Sequence, residues 1–187
     1  FQAHVAKDGE RIKVGKVSIE VLHTPGHTME SSSFLLRDEH GKPTAVFTGD
    51  TLFIGDVGRP DLAVKTDLSR EDLAGYLFES LRNKIMTLPD DVTVYPGHGA
   101  GSACGKKMAK ETESTIGLQK QFNYALRADM TKAEFVKEVT TGLVDPPQYF
   151  PKNAVMNKMG YESIDTVLNR GVHPLNVREF VTVAEAE

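Results

Sequence analysis

Val46-Phe47-Thr48-Gly49-Asp50-Thr51-Leu52-Phe53 decides the reading of this chain. The apolar run from Thr44 to Phe47 has strand character, and Gly49 then turns the backbone so that one carboxylate, Asp50, stands clear of it. The same device occurs upstream, where Val17 to Leu22 leads into Thr24-Pro25-Gly26-His27-Thr28. It occurs again downstream, where Val92-Thr93-Val94-Tyr95 leads into Pro96-Gly97-His98-Gly99. Each unit ends a strand, bends at Gly or Pro, and places a metal-ligating side chain at a sheet rim. One such turn is more often structural than functional. Three of them, delivering His27, Asp50 and His98, look like half of a metal site.

The chain has 187 residues, 40% hydrophobic and 26% charged, which suits one globular domain with or without an appendage. A formal net charge of -4 supplies no field to attract nucleic acid or an anionic membrane, so the expected partner is a small molecule. Cys104 is the only cysteine; it excludes an intramolecular disulfide and is compatible with a reducing cytoplasm, the expected location. No apolar run is long enough to span a bilayer, and no signal peptide pattern is visible. Because it opens at Phe1 rather than Met, the chain is expected to be a piece of a longer protein.

Working outward from the central stretch, Val17, Ile19 and Val21 alternate with Ser18 and Glu20, which predicts a half-buried strand. Ser33 to Arg37 reads as a second strand, and Asp38 to Lys42 as a hairpin turn into the third, giving an antiparallel meander. Residues 1–16 read as polar with a turn, and residues 49–61, with glycines at 49, 55 and 58, as an irregular functional loop. Ser69, followed by Glu71 and Asp72, caps a helix whose apolar stripe is Leu73, Leu77, Phe78, Leu81 and Ile85. A second helix is predicted from about Lys107 to Leu126, and a third from Thr131, with Phe135, Val136 and Val139 on one face. Beyond Gly142, prolines separate short helical pieces at 153–159 and 163–168, and a last helical pattern begins at Val177.

Neutral imidazole suits zinc or iron, and two histidines with one carboxylate on a face leave positions open for substrate and O2 on Fe(II). His27 and Asp50 supply two of those three groups. His98 is the third, or serves a second metal, or supports the ligands from behind. Arg59, in a glycine-flanked loop beside Asp50, either binds a substrate carboxylate or makes a loop-stabilising ion pair. Cys104 lies near Lys106 and Lys107, whose charges favour thiolate; it either carries sulfur, tunes a metal or packs in its Gly/Ala loop, the last being the commoner role. His23 is expected in a core or supporting position, and His4, His40 and His173 facing solvent.

Thr24-Pro25-Gly26-His27-Thr28, the Phe47 to Phe53 stretch, Gly58-Arg59-Pro60-Asp61 and Tyr95-Pro96-Gly97-His98-Gly99 together resemble the metallo-β-lactamase superfamily. Within it, Gly58-Arg59 and the run from Gly99 to Gly105 resemble bacterial persulfide dioxygenases, especially those fused to rhodanese domains, more than plain glyoxalase II enzymes. The resemblance covers about residues 1–160. It implies a layered α/β fold: residues 1–127 as the C-terminal part of an αββα sandwich, 128–172 as its helical extension, and 173–187 as the entry to a missing rhodanese-like domain.

The resemblance further implies oxidation of a low-molecular-weight thiol persulfide, of glutathione or coenzyme A type, with O2 to sulfite and thiol on mononuclear Fe(II), zinc being the alternative metal. By motif match, His27 and Asp50 are two of the three iron ligands, Arg59 orients the thiol carrier, and His98 sits at a second-metal position that the dioxygenases leave empty. The family's remaining ligand comes from a His-x-His-x-Asp-His motif upstream of the His27 turn. None of the six histidines (His4, His23, His27, His40, His98 and His173) has that spacing, so these residues alone are not expected to hold catalytic iron. Two alternatives stand: a glyoxalase II-like thioester hydrolase with a dinuclear site that uses His98 and a second-metal Asp, and a non-catalytic scaffold with an incomplete site. Fused relatives assemble as oligomers, which implies a homo-oligomer here.

Overall fold

The three ligand-bearing turns lie at one end of a six-stranded sheet. The computed structural model describes residues 2–62, 68–145, 148–160, 162–172 and 174–185, so the expectation for His173 lies outside the described residues. The strands are β1 (Arg11–Val14), β2 (Val17–His23), β3 (Ser32–Arg37), β4 (Pro43–Gly49), β7 (Thr93–Pro96) and β8 (Ser114–Thr115), in the order β1-β2-β3-β4-β7-β8. Neighbours are antiparallel except β4 and β7, which run parallel. That parallel pair places the ends of two ligand strands side by side, with Gly49 opposite Pro96.

Helix α1 (Arg70–Ser80) starts where its capping box forms: the Ser69 hydroxyl accepts from the Asp72 N–H, and the Asp72 carboxylate accepts from the Ser69 N–H. It runs on as a wider π turn over Leu81–Ile85. Leu73, Leu77, Leu81 and Ile85 are fully buried, and the last three share a core with Leu35, Val46 and Val94 of the sheet. Each buried leucine contributes about 1.5–3 kcal/mol. Helix α3 (Lys132–Thr140) has the same kind of cap, Thr131 with Glu134, and docks on α1 through Phe135, whose ring meets Phe78 edge-on at 5.4 Å.

Three sequence expectations change. The polar N-terminal segment contains β1, because Ile12 and Val14 alternate with Arg11 and Lys13 and pair against β2, with Arg11 bonding Glu20 at 3.0 Å. The loop at 49–61 contains a two-stranded ribbon, β5 (Leu52–Phe53) and β6 (Asp56–Val57), whose Leu52, Phe53 and Val57 are core residues. The helix predicted over 107–126 shrinks to α2 (Ile116–Phe122) and a 3-10 turn at Tyr124–Leu126. Tertiary partners outbid helix propensity there: the Lys106 and Lys107 N–H groups both donate to the buried Asp56 carboxylate at 2.6 Å. Ser114 and Thr115 meanwhile pair with β7 as β8.

The chain divides into two compact units, Phe1–Pro146 and Pro147–Glu187, a division that falls inside the 128–172 stretch. The second unit comprises α4 (Phe150–Met159), α5 (Ile164–Gly171) and α6 (Val177–Ala184), the last two capped by Ser163 and Asn176. Among the described residues, no helix is long and apolar enough to cross a membrane.

Candidate metal centre

The first ligand turn is locked from three sides. The buried Thr24 hydroxyl meets Thr51 Oγ1 at 2.8 Å and Ser33 Oγ at 3.1 Å, tying this turn to the one that carries Asp50. Ser80 of α1 donates to the Pro25 carbonyl at 2.8 Å. Gly26, at φ 148°, lies so close to α1 that a Cβ would stand 2.4 Å from Leu77 Cβ and 2.5 Å from its Cα. Only glycine fits such an approach at that φ.

His27 is consequently rigid and only 9% exposed. Its Nδ1 lies 2.8 Å from the Arg59 carbonyl oxygen. A carbonyl only accepts, so Nδ1 carries a proton and Nε2 is the free ligand atom. That Nε2 stands 3.2 Å from Asp50 Oδ2. In the neutral imidazole, two acceptors therefore face each other. The pair is attractive when Nε2 donates to the carboxylate or when a cation stands between the two atoms.

Asp50 is fixed as tightly. A Cβ on Gly58 would meet the Asp50 carbonyl oxygen at 1.9 Å and His27 Nδ1 at 3.1 Å, and one on Gly97 would meet Asp50 Oδ1 at 2.7 Å. The two glycines close on Asp50 from both ends, Gly58 on its backbone carbonyl and Gly97 on its carboxylate. Burial opposes its ionisation, but the His27 hydrogen bond and the nearby His27 and His98 charges outweigh that and hold it below the ordinary carboxylate value. His98 Nε2 approaches its other oxygen, Oδ1, at 3.3 Å, from a side chain that is 44% exposed.

Arg59 makes an ion pair within its own loop. Its fork grips Asp61, Nε to Oδ1 at 2.6 Å and Nη2 to Oδ2 at 2.5 Å, and Nη2 also donates to the Val144 carbonyl. Its backbone does the positioning: the carbonyl holds His27, and the N–H donates to the Cys104 carbonyl at 2.9 Å. Cys104 is thereby drawn to the site. One donor atom each from His27, Asp50 and Cys104 lie within 4.8 Å of one another. Burial pushes its thiol pKa up, Asp50 adding to the effect against the Ser102 hydrogen bond. The nearby lysines do not offset this, and Lys106 Nζ is committed to the Glu138 and Thr141 carbonyls at 2.7 Å. Thiolate through lysine proximity is therefore not what this geometry provides.

Other placements follow. His23 is exposed, with Nε2 on the Met29 carbonyl at 2.8 Å, rather than in the core. His4 and His40 are exposed, as expected. Sequence reasoning missed Asp56, a buried acid that accepts from the Lys106, Lys107 and Val57 N–H groups and the Tyr124 hydroxyl, and so anchors the loop following His98. Its only sequence signal is a carboxylate between Ile54 and Val57. The close approach of Gly58 and Gly97 to Asp50 carried no signal beyond glycine itself.

A rim of strand-end turns presenting histidine and aspartate over a layered α/β core defines a class, and the chain belongs to it: residues 3–98 match the metallo-beta-lactamase superfamily. The fold is similar to that of a metallo-beta-lactamase from Staphylococcus aureus (TM-score 0.75, 39% identity, covering 85% of this chain and 45% of that one). In sequence the chain is 39% identical to hydroxyacylglutathione hydrolase GloC of Haemophilus influenzae over 101 residues, which are 54% of this chain and 42% of that protein. It is 36% identical to the human mitochondrial persulfide dioxygenase ETHE1 over 92 residues, 49% of this chain and 32% of that protein. The chain thus spans less than half the length of each of these relatives.

Proposed function

We propose that this chain is part of an Fe(II)-dependent persulfide dioxygenase that oxidises a low-molecular-weight thiol persulfide with O2 to sulfite and thiol. The observation that carries the reading is the facing pair of acceptors, His27 Nε2 and Asp50 Oδ2 at 3.2 Å, in a chain similar to a persulfide dioxygenase. His27 and Asp50 would hold the ion, with a further histidine coming from outside these residues. An Fe(II) ion held by two histidines and a carboxylate has open positions for a sulfur substrate and O2.

The chain's own residues prepare that site. The Arg59 carbonyl keeps the His27 proton on Nδ1 and the ligand lone pair on Nε2. Gly58 and Gly97 let the backbone close around Asp50. The thiol carrier is of glutathione or coenzyme A type, the location cytoplasmic and the assembly a homo-oligomer. Because the Arg59 fork is held by Asp61, its part in carrier binding is to hold the loop that frames the site.

The competing reading is a glyoxalase II-like thioester hydrolase. It is favoured by His98 Nε2 at 3.3 Å from Asp50 Oδ1, which lets one carboxylate serve two ions, and by the similarity to a hydroxyacylglutathione hydrolase. The test is to assay the full-length protein that carries these residues and the further histidine, in parallel for O2 uptake with sulfite release from glutathione persulfide and for hydrolysis of S-lactoylglutathione, with iron and zinc counted per chain. Sulfite release with about one iron is expected; thioester hydrolysis with two metals and no O2 uptake would sink the dioxygenase reading. Neither activity, with no metal, would favour a scaffold.

A further inference from the structure

We propose that a cavity between helix α3 and the loop after Cys104 binds the zwitterionic head of an α-amino acid, with its carboxylate on Lys106 and Lys107 and its ammonium on Glu138. Only the source of that head, the end of a peptide-type thiol carrier rather than a free amino acid, rests on the preceding reading.

Three observations carry it. The first is a cavity of about 340 Å³ lined by Lys106, Lys107, Tyr124, Glu138, Thr141 and Gly142, at the small end of ligand sites and suited to one polar head group. The second is that its walls carry charges of both signs that the protein does not consume. Among the described residues, neither the Lys107 ammonium nor the Glu138 carboxylate has a hydrogen-bond or ion-pair partner. Lys106 Nζ donates to the Glu138 and Thr141 carbonyls at 2.7 Å, which leaves one of its three N–H groups for a ligand. Burial pushes its ammonium pKa down against the pull of Glu138 and Asp56, so an arriving carboxylate compensates a cation partly stripped of water.

The hydroxyls in the wall are committed in the same sense. Tyr124 donates to the Asp56 carboxylate at 2.9 Å, and burial and the Asp56 charge raise its pKa and keep that proton on. Thr141 Oγ1 donates to the Lys137 carbonyl at 2.6 Å. Both oxygens are therefore acceptors toward the cavity, and with Glu138 they suit an ammonium. Asp56 also accepts from the Lys106 and Lys107 N–H groups at 2.6 Å, so one buried carboxylate fixes the lysine backbones and the Tyr124 ring together. The third observation is reach. Lys106 follows two residues after Cys104, a donor atom of which lies within 4.8 Å of those of His27 and Asp50. Two residues span at most about 7 Å and a tripeptide about 10 Å, so a peptide thiol with its head in the cavity can bring its sulfur to the metal-ligating turns.

The experiment is isothermal titration of the full-length protein that carries these residues with S-methylglutathione, whose sulfur is blocked from metal. L-Glutamate, N-acetyl-S-methylglutathione and S-methyl coenzyme A are titrated beside it. S-Methylglutathione is expected to bind once per chain, with L-glutamate competing more weakly. Its dissociation constant should rise at least about threefold in Lys107→Ala and in Glu138→Gln. Both side chains are exposed, so both variants should fold. Acetylating the amino group should weaken binding to the parent and abolish the effect of Glu138→Gln, a coupling that a merely structural Glu138 would not show. L-Glutamate binding as tightly as S-methylglutathione would keep the site and overturn the carrier as its source. No binding, unchanged affinity in either variant, or S-methyl coenzyme A binding as tightly with the same loss in Glu138→Gln would overturn the proposal. The expected binding with no sulfite release from glutathione persulfide counts against the dioxygenase reading alone.

Discussion

Pro-Gly-His occurs twice in this chain, at Pro25-Gly26-His27 and Pro96-Gly97-His98, and the two copies behave differently. The first is pinned under α1, its side chain 11% exposed and bonded at Nδ1 to the Arg59 carbonyl. The second leaves its histidine 44% exposed, leaning toward the Phe53 ring with centroids 6.0 Å apart. A three-residue motif sets the turn, and what packs behind the turn decides whether the ligand is held or loose. His27 is held by its surroundings, whereas the His98 side chain is partly open to solvent, with Asp50 and Phe53 as neighbours.

The largest way to break this contrast is Gly26→Ala. A Cβ there meets the α1 backbone at 2.5 Å with φ at 148°, so the variant should lose about 3 kcal/mol or more and unfold at markedly lower urea. Removing the strut comes next. Arg59→Met leaves Asp61 in a largely buried setting without its partner, and should cost about 2–3 kcal/mol by the same measurement while weakening metal binding through the loosened His27. Gly97→Ala strikes Asp50 Oδ1 rather than a helix. Its stability cost should be about 1–2 kcal/mol, but its metal affinity should fall more steeply than that of Arg59→Met, as read by equilibrium dialysis with zinc. The smallest effect is expected for His98→Ala, within about 0.5 kcal/mol of the parent stability because the side chain is exposed. If His98→Ala proved as destabilising as Gly26→Ala, the two turns would not differ in the way their packing indicates.

The structure also separates two kinds of sequence signal. Caps at Ser69 and Thr131 and the stripe at Leu73, Leu77, Leu81 and Ile85 predict α1 and α3 correctly, since each depends on residues three or four apart. The stretch after His98 misled for the opposite reason: its backbone is satisfied by Asp56 and by β7, partners that no local window contains.

Sequence alone therefore determined the strand-turn units, the antiparallel run of β2, β3 and β4 and the two capped helices, and it singled out His27 and Asp50, which the fold brings together. All of these follow from short-range chemistry: alternation, capping, and glycine or proline after a strand. Tertiary structure alone decided which histidine is buried, that Arg59 pairs with Asp61, and that Cys104 stands beside His27 and Asp50. Those facts depend on close approaches between segments far apart in the chain, such as Gly26 on Leu77 and Arg59 on Cys104. Such approaches are set by the packing of the whole core, to which no single segment holds the information.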